Sequence, residues 1–173
     1  MKKLFLCLLV LTLAAVSLGG AFAQEPGGTL RAAFQNDWES LDPQVTSSYS
    51  SLQILNNVLE TLTTFDDDLE LAPGLAESWE QSEDGLTWTF NLREGVMFSN
   101  GEELTAEAVA WTYNRFIDPE GGFSGSSANI GGEGTVVEAT DTYVVSIIHP
   151  EPVAIAPILL GLNKATGIMH PDS

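Results

Sequence analysis

Leu75-Ala76-Glu77-Ser78-Trp79-Glu80, followed by Asp84-Gly85-Leu86-Thr87-Trp88-Thr89-Phe90-Asn91-Leu92, is the stretch whose reading decides the fold. Leu86, Trp88, Phe90 and Leu92 alternate with Thr87, Thr89 and Asn91, the period-2 pattern of a strand with one buried face. Asp84-Gly85 suits the positive backbone angles of a tight hairpin turn, so residues 79–82 are read as the partner strand. Trp88 and Phe90 then share the buried face, Thr89 takes the other, and Trp79 and Trp88 are expected in the core.

Working downstream, Ser99-Asn100-Gly101 turns the chain toward Thr105, an N-cap residue, with Glu107 placed to complement the dipole of the following helix. Val109, Tyr113 and Phe116 form that helix's inner stripe, Trp111 lies beside it, and Asp118-Pro119 ends it. Residues 120–134 hold six Gly and three Ser and read as a loop. No Gly-x-x-x-x-Gly-Lys-Ser/Thr pattern occurs there, so a phosphate cradle is not indicated. Residues 135–137 and 143–148 read as strands around Asp141-Thr142, and residues 153–162 as a short helix after Pro150 and Pro152. Upstream, Leu52, Leu55, Val58, Leu59 and Leu62 stand at helical spacing, predicting an amphipathic helix over residues 48–60 with a core-facing stripe. Residues 61–65 are a candidate strand, residues 71–79 read as a turn with a short helical piece, and residues 29–34 as a strand leading into the loop Asn36-Asp37-Trp38-Glu39-Ser40-Leu41-Asp42-Pro43.

The 173 residues carry 6 Lys and Arg against 24 Asp and Glu, a formal charge of -18. Such a surface repels phosphate backbones and anionic headgroups, which excludes nucleic-acid partners and polybasic membrane attachment. The single Cys allows neither an internal disulfide nor a cysteine-based zinc site, so no metal or cofactor is called for.

Residues 1–23 have the order of a secretory signal. Lys2 and Lys3 precede an apolar run over residues 4–16, and Ala21-Phe22-Ala23 offers a small-x-small cleavage site before Gln24. The run is short for a span of about 20 residues, and Cys7 is misplaced for lipid modification. The expected product is a soluble exported chain from residue 24 to 173, periplasmic, with no stable membrane insertion. It keeps four basic residues, Arg31, Arg93, Arg115 and Lys164.

No constellation commits the chain to catalysis. Ser99, His149 and Asp141 are the residue types of a triad without a Gly-x-Ser-x-Gly elbow. Asp66, Asp68 and Glu70 have calcium-loop spacing, but Leu71 stands where the loop needs Gly. His149 and His170 each precede a Pro at an element boundary and read as ordinary polar residues. Trp38 differs: it is a large aromatic in a polar loop between Asp37 and Glu39. Two readings compete for it, a ligand-lining indole with Asn36 and Asp37 as hydrogen-bonding neighbours, and simple packing beneath the fold.

Taken in order, Gly27-Gly28-Thr29-Leu30-Arg31, Leu41-Asp42-Pro43, residues 75–80 and 84–98, and Asn100-Gly101-Glu102-Glu103-Leu104-Thr105-Ala106-Glu107 resemble the extracellular solute-binding protein family 5. These are the oligopeptide, dipeptide and nickel-binding proteins of ABC importers. The resemblance implies a mixed α/β fold of the type II periplasmic binding protein kind. Residues 24–173 would be the N-terminal part of the first lobe with its small subdomain, the second lobe missing. It further implies a periplasmic substrate-binding component that captures a small solute, a peptide first, and delivers it to ABC transporter permease subunits. Asn36, Asp37 and Trp38 are the expected ligand-binding residues. From the residues alone, an exported acidic interaction or carbohydrate-binding module, or a secreted hydrolase, stays open.

Overall fold

The alternation over residues 86–92 is realised as strand β4 (Thr87–Leu92) in a computed structural model that describes residues 28–29, 31–34, 36–118, 120–121, 130–162 and 164–172. The expected leader, residues 1–23, and its cleavage site lie outside the described residues. Strand β4 sits between β3 (Ala76–Gln81) and β6 (Val144–Ile148), with β5 (Val136–Asp141) beyond β6, in an all-antiparallel sheet of order β3-β4-β6-β5. Phe90 stands opposite Trp79 on one side and Val145 on the other, and Trp88 opposite Gln81 and Ile147. Phe90 is fully buried; Leu92, Val137, Val145 and Ile147 join it in one continuous core. Trp79 and Trp88 are half-buried against that core, each ring 6.5 Å from Phe90, and the Trp88 indole donates to the Val153 carbonyl at 2.7 Å. The other sheet face is polar, with the Asn91 amide donating across the strands to Ser78 Oγ at 3.0 Å.

The buried face is covered by a helix that the sequence placed correctly (Ala106–Ile117). Its inner residues Val109, Tyr113 and Phe116 are buried, as a stripe at helical spacing requires. Thr105 has the extended cap conformation, but its side chain makes no capping bond; the Ala106 N–H donates instead to the Thr142 carbonyl at 2.8 Å. Asp118 is extended, as the residue before a proline prefers. This helix is α2, because a shorter one, α1 (Tyr49–Leu55), precedes it. A second layer pairs β1 (Thr63–Phe65) antiparallel with β2 (Leu71–Pro73), packed on α3 (Ala156–Leu162), where Thr63 Oγ1 donates to the Pro157 carbonyl at 2.6 Å.

Four local expectations are corrected. The β3–β4 connection is longer than a two-residue turn: the Ser82 N–H closes it on the Thr87 carbonyl, and Gly85 alone takes positive φ (74°). Asp84 instead uses its carboxylate to accept from Ser82 Oγ (2.6 Å) and the Leu86 N–H (3.0 Å), and these bonds hold its pKa below the usual carboxylate value. Residues 71–79 contain no helical piece; β2 and the start of β3 occupy them, with Pro73 and Gly74 breaking any helical run. The predicted helix over 48–60 stops at Leu55, so its stripe divides. Leu55 and Leu62 are core, Leu52 and Leu59 half-buried, and Val58 is 70% exposed on the turn that follows. Finally, the described residues among 29–34, Thr29 and Arg31–Phe34, form no strand and are exposed.

Candidate functional site

The loop over residues 36–47 is anchored from below and open above. Asn36, Asp37 and Trp38 are all exposed, Trp38 to 56%, so the indole is not packed beneath the fold. Four residues on, the Asp42 carboxylate organises the chain. Its Oδ1 accepts from the Gln44 N–H (2.9 Å) and from Arg115 Nη1 (3.3 Å), and its Oδ2 accepts from Arg115 Nη2 (2.5 Å). The Asp42 carbonyl accepts from the Val45 and Thr46 N–H groups at 3.2 Å. Gln44 is fully buried and satisfied at both ends, accepting from Arg115 Nη1 (2.5 Å) and donating to the Thr112 carbonyl (2.8 Å). On the near side, the Glu39 N–H donates to Ser51 Oγ at 3.2 Å. The Leu41-Asp42-Pro43 motif is therefore an attachment point on α2.

A cleft of about 410 Å³ lies elsewhere, with Leu75, Val96, Leu104 and Ile168 among its walls and Glu60, His170 and Asp172 among its polar residues. It forms because the Ile168 N–H donates to the Glu60 carbonyl at 2.9 Å, bringing late residues beside early ones. The His170 imidazole pairs with the Glu102 carboxylate and meets the Phe98 ring edge-on at 5.1 Å. Residues 36–38 are not among the residues lining this cleft. Sequence reading missed it because its walls come from distant segments that no local period links.

The triad types are not brought together. Asp141 ends β5 and is exposed, while His149 follows the far end of β6 and is 2% exposed, so a full strand length separates them. Ser99 belongs to the separate 96–104 loop. Asp66 Oδ1 serves its own turn, accepting from the Asp68 N–H (3.0 Å) and the Glu70 N–H (2.9 Å).

His149 does have a measurable consequence. Its Nδ1 faces Thr135 Oγ1 at 3.4 Å, its Nε2 has no hydrogen-bond partner among the described residues, and burial lowers its pKa from the ordinary value near 6.5. The unfolded chain therefore takes up the proton first as the pH falls. The stabilisation from a neutral His149 is full above about pH 6.5 and is lost as the pH drops through the folded-state pKa. Denaturant titrations at pH 7.5 and 5.5 should show wild type losing more stability than His149→Phe over this interval. Equal losses would contradict a buried neutral imidazole.

Residues 70–171 match the family model described as bacterial extracellular solute-binding proteins, family 5 Middle. The chain belongs to this family. This family 5 protein is 40% identical over 81 residues to the periplasmic oligopeptide-binding protein OppA of Haemophilus influenzae, covering 47% of the chain and 15% of the relative. It is 49% identical over 61 residues to the nickel-binding periplasmic protein of Escherichia coli, covering 35% of the chain and 12% of the relative. The crystal structure of H. influenzae OppA in complex with RPPGFSPFR superposes with a TM-score of 0.68 at 28% identity, over 77% of this chain and 29% of that one. The fold is thus mixed α/β of the periplasmic binding protein type II kind, and the family 5 chain spans under a third of the length of these relatives. Among the described residues no helix is long and apolar enough to cross a membrane.

Proposed function

We propose that this family 5 chain contributes to the periplasmic substrate-binding component of an ABC importer, which captures a peptide or similar small solute and hands it to membrane permease subunits. The observation that carries the reading is the family match over residues 70–171. The superposition on an OppA complex adds to it. Residues 1–23 then act as an export signal cut before Gln24, and residues 24–173 as the N-terminal part of the first lobe. The role we infer is binding, as the names of the oligopeptide- and nickel-binding relatives suggest. Peptide is the first solute class to test because the oligopeptide-binding relative is named for it. The nickel-binding relative is a reminder that one scaffold serves several ligands.

Within that component, Asn36, Asp37 and Trp38 face the solute. Support comes from the local chemistry: an exposed indole offers a flat apolar surface with a donor edge, and Asn36 and Asp37 beside it offer polar groups, all on a loop tied down through Asp42. In the full-length protein, both lobes present, Trp38→Ala should weaken peptide affinity by at least about tenfold, roughly 1.4 kcal/mol, in calorimetric titration with trialanine and longer peptides, with the melting temperature nearly unchanged. A large fall in melting temperature with unaltered affinity would make Trp38 a packing residue and remove the site.

A further inference from the structure

Past residue 23 basic groups are scarce, four against 24 acidic ones. Where a guanidinium is spent is therefore informative. Arg115, in the last turn of α2, meets Asp42 with a two-pronged contact, Nη1 to Oδ1 and Nη2 to Oδ2. The same Nη1 reaches Gln44 Oε1, and the guanidinium carbon lies 5.9 Å from the centre of the Trp111 ring. A planar fork gripped by a carboxylate and resting on an aromatic face is fixed in orientation as well as position, which a lysine ammonium cannot reproduce. The side chains are 25% and 28% exposed, so the pair is reachable by water yet shielded enough to hold its geometry. The same segment is also held by the Gln44 amide on the Thr112 carbonyl and by the Glu39 N–H on Ser51 Oγ, with Pro43, Gln44 and Thr46 buried, while Phe34, Trp38, Leu41 and Val45 expose much of their apolar surface.

We infer that Asp42, Gln44 and Arg115 are positioning residues, an ion-paired clamp on α2 that sets the attitude of the Asn36–Trp38 edge toward the solute. The inference rests on reading that edge as solute-facing. It goes further by locating the rigidity of the site in α2 and not in the loop itself. Loss of the fork should loosen residues 36–47 and leave the β3–β4 hairpin intact, because Phe90 and Leu92 are held with Val109, Tyr113 and Phe116 of α2 in a core to which residues 36–47 do not contribute.

The test compares the full-length protein, both lobes present, as wild type, Asp42→Asn, Arg115→Lys and the conservative Asp42→Glu, by amide hydrogen exchange and by trialanine titration, following the Trp38 indole N–H resonance. Asp42→Asn and Arg115→Lys should raise exchange at the amides of Glu39, Val45 and Thr46 by about tenfold, leave residues 87–92 protected as before, and weaken trialanine binding by about tenfold. Asp42→Glu should restore part of both. Unchanged exchange at residues 39–46 overturns the clamp. Equal loosening of residues 87–92 makes it a staple of the whole fold and overturns the positioning role. A loosened loop with unaltered trialanine affinity also overturns that role. A wild-type Trp38 resonance indifferent to trialanine withdraws the solute-facing reading and this inference with it, while the exchange data separately report whether the clamp exists.

Discussion

Phe90→Ala lowers stability by about 3–5 kcal/mol in denaturant titration, whereas Thr89→Ala changes it by about 1 kcal/mol or less. Phe90 is fully buried at the centre of β4, between Trp79 on β3 and Val145 on β6, so deleting its ring leaves a cavity that two neighbouring strands and α2 cannot close. Thr89 points to the polar face, where water replaces its lost contacts. Trp88 is an inferior probe of the same face, since it is half-buried and also holds the Val153 carbonyl, so its truncation mixes two effects. Comparable losses at positions 89 and 90 would mean that β4 does not have one dry face.

Gly74→Ala is expected to cost about 3 kcal/mol, although it adds one methyl group. A Cβ at this position would lie 2.4 Å from the Thr61 carbonyl oxygen and 3.0 Å from that of Leu62, both backbone atoms that no rotamer change can move aside. Those carbonyls are engaged: Thr61 O accepts from the Leu75 N–H at 2.9 Å, and Leu62 O from the N–H groups of Gly74 (3.1 Å) and Ala76 (2.9 Å). The Gly74 carbonyl in turn accepts from Arg93 Nε at 2.7 Å. Making room for the methyl group therefore breaks the junction between the β1–β2 layer and the main sheet. Gly95→Ala is the control, because nothing lies within 4 Å of a Cβ there and only its positive φ (73°) resists. A Gly74→Ala variant as stable as wild type would show that the junction is loosely packed.

What the sequence made legible follows the range of the interactions involved. The β4 strand and the inner stripe of α2 depend on local alternation between core and solvent, and both emerged where the pattern put them. Residues 71–79 suggest a helical piece because nothing near them in sequence reveals the close approach of Gly74 to the Thr61 carbonyl; without it, Ala72, Leu75 and Ala76 look like helical material. Helix α1 was read too long because Val58 and Leu59 continue the helical spacing, while the Asn56-Asn57 turn that ends the helix carries a weaker signal than Gly or Pro. At the candidate site, Trp38 stood out as an aromatic without a structural reason to be in a polar loop, and its exposure agrees with that oddity. The partners of Asp42 were beyond reach of a sequence reading. Arg115 is distant in the chain, and one helical Arg in an acidic protein has many carboxylates to choose from. The cleft beside Glu60 was hidden for the same reason, its walls meeting only after the chain returns at Ile168.

The most direct measurement of the central claim is mass spectrometry of whatever small molecule accompanies the full-length protein, both lobes present, through mild, non-denaturing purification from the exported fraction. A solute-binding protein of this family should release a peptide or comparable small solute on denaturation, in an amount approaching one per protein molecule. The same solute should rebind to the emptied protein without being altered. Recovery of no solute, together with chemical conversion of added peptides or polysaccharides by the purified protein, would contradict the assignment and favour a secreted enzyme.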